Sequence, residues 1–105
     1  MGYMSQFETI CICGSTKYKD LILEKAKELT LLGYVVLLPL VFGHSGDKVT
    51  PEQKAFLDEL HYVKISMSDC IYVVNPNGYI GDSTYNEIEY ARQLNIPIIY
   101  MEEKE

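Results

Sequence analysis

Four short apolar runs, separated by stretches of helical periodicity, constrain this chain more than anything else in it. They are Thr9-Ile10-Cys11-Ile12-Cys13, Tyr34-Val35-Val36-Leu37-Leu38, Cys70-Ile71-Tyr72-Val73-Val74 and Pro97-Ile98-Ile99-Tyr100. Their near-continuous apolar character is that of strands covered on both faces of a parallel sheet. Between the first two, Ile22, Ala26 and Leu29 recur at helical spacing within Lys17–Leu32, and Gly33 follows as a C-terminal stop. Thr50-Pro51-Glu52-Gln53 forms a capping box with a first-turn proline, opening a helix whose apolar stripe is Phe56, Leu60, Val63 and Met67. A third helix is expected over Thr84–Leu94. Residues 1–105 therefore predict one α/β domain, a doubly wound parallel sheet of flavodoxin- or Rossmann-like type. Right-handed crossovers give the strand order 2-1-3-4, with helices on both faces and strands near 8–13, 34–38, 70–74 and 97–101.

That order places a crevice between strands 1 and 3, where a ligand of such a sheet sits beyond the carboxyl ends of the strands. The loops that face it are Gly14-Ser15-Thr16-Lys17 and the segment Asn75 to Ser83, which includes Gly78, Tyr79 and Gly81. The first loop could cradle a phosphate or a sugar with Lys17 adding charge, or be an ordinary tight turn with a Ser or Thr cap. It lacks the glycine spacing of a P-loop or a dinucleotide fingerprint.

Glu87 carries two readings. Thr84-Tyr85-Asn86-Glu87 fits a capping box in which Glu87 folds back on its own helix start. Local sequence favours the cap, but a first-turn carboxylate held ionised by the helix dipole is also suited to attack an electrophilic sugar carbon. Asp58, His61 and Lys64 lie at three-residue spacing on one helix face, where charged groups are usually solvated pairs. Asp69 stands just before strand 3, placed to cap or orient a neighbour. Cys11 and Cys13 point to one face of their strand; with no two further ligands clustered in the sequence, they read as buried thiols rather than a metal site. The tyrosines offer stacking surfaces for a base, though such rings commonly pack with the hydroxyl at the rim.

A formal net charge of -6 argues against a nucleic-acid partner, because phosphate contacts need clustered Lys and Arg. No apolar run reaches the roughly 18 residues of a membrane span, and the longest, Tyr34 to Phe42, is broken by Pro39. No secretory signal is visible, and three cysteines, an odd number, suit a reducing compartment. A cytoplasmic location is the expectation.

These residues together resemble the nucleoside 2-deoxyribosyltransferase-like superfamily, which includes the deoxynucleoside monophosphate N-hydrolases. The resemblance rests on the opening strand running into Gly14-Ser15-Thr16-Lys17-Tyr18, on Asp69 at the head of strand 3, and on Ser83-Thr84-Tyr85-Asn86-Glu87-Ile88-Glu89-Tyr90-Ala91. It extends to small bacterial and phage proteins with a pattern like His61-x-x-Lys64-Ile65 followed by Gly78-Tyr79-Ile80-Gly81-x-Ser83-Thr84-x-x-Glu87-Ile88. It implies a nucleoside or nucleotide ligand and cleavage or exchange of an N-glycosidic bond, with Glu87 attacking the anomeric carbon. It also implies an assisting Asp eight residues before Asp69, where this chain has His61; the nearest acid is Asp58. Gly14, Ser15, Lys17, Asp69, Asn75, Gly78, Tyr79, Gly81 and Ser83 become the expected substrate contacts, and His61 or Asp58 the groups serving the leaving base. Such chemistry requires no metal or organic cofactor. The resemblance implies neighbours that complete one another's pockets, hence a homodimer or higher homo-oligomer, with Tyr62, Tyr79 or Tyr85 suited to the contact.

Overall fold

The computed structural model describes residues 7–39 and 48–102. The sequence predicts loose ends at Met1–Gln6 and Glu102–Glu105 and a loop over Pro39 to Val49; of these, residues 1–6, 40–47 and 103–105 lie outside the described residues. The described elements are β1 (Thr9–Gly14), α1 (Lys19–Leu31), β2 (Val35–Leu37), α2 (Pro51–Ser66), β3 (Cys70–Val74), α3 (Asp82–Gln93) and β4 (Ile98–Tyr100). Short 3-10 turns at Thr16–Tyr18 and Pro76–Gly78 follow β1 and β3. The four strands form one parallel sheet in the order β2-β1-β3-β4, as the sequence predicts.

β1 and β3 make the longest pairing, from Ile10 opposite Cys70 to Gly14 opposite Val74. Gly14 suits the close approach there, since a Cβ would stand a tight 3.2 Å from both the Cβ and the carbonyl oxygen of Val74. Alternation along the strands sorts side chains onto two faces. On one, Ile12 and Val74 pack with Ile22 and Ala26 of α1, and Leu29 closes the edge. On the other, Cys11, Cys13, Ile71 and Val73 pack beneath Ile65 of α2 and Ile88 and Ala91 of α3.

Helix ends follow local chemistry. α1 closes with the Tyr34 amide on the Leu29 carbonyl and the Gly33 amide on the Thr30 carbonyl, with Gly33 at φ +101°. That left-handed residue is why glycine ends the helix. α2 opens with both bonds of its capping box, Gln53 N to Thr50 Oγ1 at 3.0 Å and Thr50 N to Gln53 Oε1 at 2.9 Å.

Three details differ from the sequence expectation. The start of the first helical stretch is a separate 3-10 turn, because Ser15 accepts from the Lys17 amide and bends the chain before α1. The expected stripe of α2 faces outward: Phe56, Leu60, Val63 and Met67 are exposed, while His61 and Ile65 are buried and Leu57 half-buried. The helix is turned by roughly one residue, about 100°, so that a histidine takes a core position. Finally, α3 begins at Asp82 rather than Thr84. Gly81, in extended conformation, precedes it without a side-chain cap, and Thr84 is buried inside the helix. No described helix is long and apolar enough to cross a membrane.

Candidate functional site

The loops after β1 and β3 meet at the carboxyl edge, as the strand order requires. Lys17 Nζ lies 4.0 Å above the Tyr79 ring, and the Tyr18 and Tyr79 rings meet edge-on at 5.9 Å between centroids. The β3 loop reverses through Asn77 and Gly78, both at positive φ. It brings the Tyr79 hydroxyl against Gly81 so closely that a Cβ there would sit 3.1 Å from the oxygen. The described cavity at this edge, about 450 Å³, is lined by Thr16 to Leu21 and includes neither His61 nor Glu87.

Beneath this edge, inside the layer covered by α2 and α3, lies a polar cluster drawn from three elements. His61 of α2 is 5% exposed, and its Nε2 is the hub. It stands 3.7 Å from Cys11 Sγ, 3.6 Å from Cys13 Sγ and 3.7 Å from Glu87 Oε1. Cys11 and Cys13 are fully buried, while the Glu87 side chain keeps 15% exposure and so forms the outer wall. His61 Nδ1 has no hydrogen-bond partner among the described residues. The Tyr62 and Tyr90 rings, edge-on at 4.9 Å, clamp α2 to α3 alongside.

The cluster sets its own proton affinities. Burial pushes the Glu87 carboxyl up to about 7, although the His61 charge and the Cys13 thiol pull the other way. Burial alone lowers His61, but its hydrogen bond with Cys11 and the charge of Glu87 outweigh that and raise the imidazole above its ordinary 6.5. The Cys13 thiol is the main cause that holds Cys11 down at about 6. Cys13 itself, hydrogen-bonded to Cys11 and desolvated, is driven well above its ordinary range. The two thiols thus titrate as one unit in which the first proton leaves readily and the second stays.

Glu87 is not a cap. With Gly81 as the N-cap, it falls in the second turn of α3, and burial rather than the helix dipole governs its charge. Of the other residues expected at the site, Gly14, Ser15, Lys17, Gly78, Tyr79, Gly81 and Ser83 all lie on the two crevice loops or the first turn of α3, with Ser83 exposed. Asp58 is exposed and paired with Lys54 at 3.0 Å, yet near enough to raise Glu87 electrostatically. Asp69 lies apart: its carboxylate accepts from the Thr9 amide at 2.8 Å, at the amino ends of the strands. Asn75 is buried and tied to the backbone of Glu102, accepting from its amide at 2.9 Å and donating to its carbonyl at 3.2 Å. Glu102 is therefore anchored rather than a loose end.

No protein-family model, characterised protein or solved structure matches this chain. Its own residues carry any assignment. The participation of Cys11 and Cys13 was the part hidden in the sequence. The available signal was a histidine four residues before Ile65, on the buried line of α2, facing a strand with two same-face thiols.

A pH prediction follows from the burial of Glu87. Because its carboxyl is raised in the fold, its contribution to stability is full below its ordinary 4.5 and is lost as pH rises through about 7. Glu87→Gln removes that dependence. In reduced, chelator-treated protein, urea midpoints should show the Gln variant gaining on the parent between pH 4.5 and 7 and keeping the gain above. A difference that stays flat across this window contradicts the buried carboxyl.

Proposed function

We propose that this domain binds a nucleoside or nucleotide and cleaves or exchanges its N-glycosidic bond, with Glu87 as nucleophile. The observation that carries the reading is Glu87 itself, a half-buried carboxylate on α3 of a doubly wound sheet, 3.7 Å from an imidazole that supports its charge. A carboxylate oxygen attacks the anomeric carbon as the bond to the base breaks, and the base leaves with the electron pair. Water, or an acceptor base, then attacks the same carbon and releases Glu87.

His61 acts here as a positioning residue. It is too deeply buried to reach a leaving base, so it sets the ionisation and aim of Glu87, and solvent supplies the proton the base takes. Lys17, Ser15 and Ser83 are placed to receive the sugar or a 5′-phosphate. Lys17 is held over tyrosine faces by about 0.5–1 kcal/mol at such exposed sites, little enough for an anion to draw it away. The residues call for no metal in this step.

A second reading, a nucleotide-binding module without turnover, is favoured by one feature: the cavity along Thr16–Leu21 does not reach Glu87. Incubation with a panel of nucleosides and deoxynucleotides separates the two. Free base should appear chromatographically with at least one member. Glu87→Gln should lower its release by orders of magnitude while binding persists. Equal release per folded molecule from the Gln variant contradicts the mechanism, and binding without free base selects the module.

The shallow edge and the exposed apolar residues of α2 support self-association, with Tyr79 and Tyr85 also exposed. Tyr62 instead packs on Tyr90. Light scattering at micromolar concentration should give a dimer; the monomer mass of 12.0 kDa throughout counts against it.

A further inference from the structure

The polar cluster under the sheet's carboxyl edge holds more chemistry than a nucleophilic carboxylate needs. Two thiols and an imidazole nitrogen come within 4.8 Å of one another in an apolar layer. For zinc bonded to sulfur at about 2.3 Å and to nitrogen at about 2.0–2.1 Å, a tetrahedron puts S and N about 3.6 Å apart and N and O about 3.4 Å apart. The two S···N distances here are 3.7 and 3.6 Å, and Nε2 lies 3.7 Å from Glu87 Oε1. These separations match the S···N and N···O edges of a coordination tetrahedron, and the 3.7 Å from nitrogen to the Glu87 oxygen is long for a hydrogen bond.

We propose that Cys11, Cys13 and His61 form a site for one thiophilic divalent cation, zinc being the natural fit, with Glu87 at the open fourth position. Three independent features support it. The donor set of two sulfurs and one nitrogen selects zinc over magnesium or calcium. The strand fixes both thiols on one face, and His61 is more than nine-tenths buried with Nε2 turned to both sulfurs. Coordination through Nε2 puts the ring proton on Nδ1 and fixes the tautomer. Charge also balances. Two thiolates neutralise the dication, the thiol protons pass to solvent, and no electrons move. The remaining carboxylate charge of Glu87 lies at the partly exposed outer wall of the cluster.

Glu87 cannot serve the metal and a sugar carbon together. Zinc occupancy should therefore suppress glycosidic turnover, the one clause that rests on the proposed function.

The test uses reduced full-length protein titrated with cobalt(II). One equivalent should produce thiolate-to-cobalt charge-transfer absorption in the near ultraviolet with tetrahedral visible bands, and zinc should displace it and raise the melting temperature. Cys11→Ser and Cys13→Ser should each lose much of the charge-transfer intensity and weaken binding by orders of magnitude. Cys70→Ser, on the opposite face of the sheet, should leave both unchanged. Glu87→Gln should still bind. If the buried serine variants fail to fold, the wild-type charge-transfer intensity, sized for two thiolates per cobalt rather than one, tests the same ligands. Absence of charge transfer in the wild type, or its loss only in Cys70→Ser, overturns the site. Base release that persists at saturating zinc overturns the competition. Base release absent from metal-free protein counts against the glycosidic reading alone.

Discussion

The parallel pairing of β1 with β3 is the constraint on which the rest of this molecule depends. Its register runs from Ile10 opposite Cys70 to Gly14 opposite Val74, and Gly14 lets the strands end in close contact. It puts the loops carrying Lys17 and Tyr79 side by side, where the cation rests on the ring. It also fixes which strand residues face α2 and α3. A slip of one residue would send Cys11 and Cys13 to the α1 face and bring Ile10 and Ile12 beneath His61. The polar cluster exists only in the observed register.

Burying such a cluster has a cost that the surrounding core must meet. An unpaired imidazole nitrogen in an apolar layer costs about 1–3 kcal/mol, comparable to the roughly 1.5–3 kcal/mol gained by burying one Ile or Val. Ile65, Ile71, Val73 and Ile88 are all buried around the cluster, so the layer tolerates it. An apolar residue at position 61 would avoid the penalty altogether. That a histidine stands there, against two thiols and a carboxylate, is an energetic argument for function at this point of the fold rather than elsewhere.

The sheet and its order were legible because each strand is a continuous apolar run and each crossover is helical. The phase of α2 was not. Phe56, Leu60, Val63 and Met67 are more hydrophobic than Leu57, His61 and Ile65, yet the latter line is buried because His61 has partners that only the folded sheet supplies. The start of α3 was misplaced for a related reason. Thr84 has a capping side chain, but it is buried as a β-branched core residue, and the bare backbone at Gly81 opens the helix instead. Asp69 and Asn75, polar residues flanking β3, satisfy backbone amides and carbonyls at the two ends of the sheet. Polarity at a strand end did not distinguish that duty from ligand contact. The cluster itself was half visible, as two cysteines on one strand face. Its other members arrive from helices 48 and 74 residues further on from Cys13, a separation that spacing alone does not bridge.

Imidazole nitrogen spectra of His61, followed across pH in reduced and chelated protein, test the central claim most directly: that His61 is joined to Cys11, Cys13 and Glu87 in one buried unit. The expected result is a ring that titrates above its ordinary 6.5 and whose titration falls in Glu87→Gln, with Nε2 carrying the perturbation. A ring that titrates at or below 6.5 and ignores the substitution would contradict the coupling of His61 to Glu87, and with it the aim of the nucleophile.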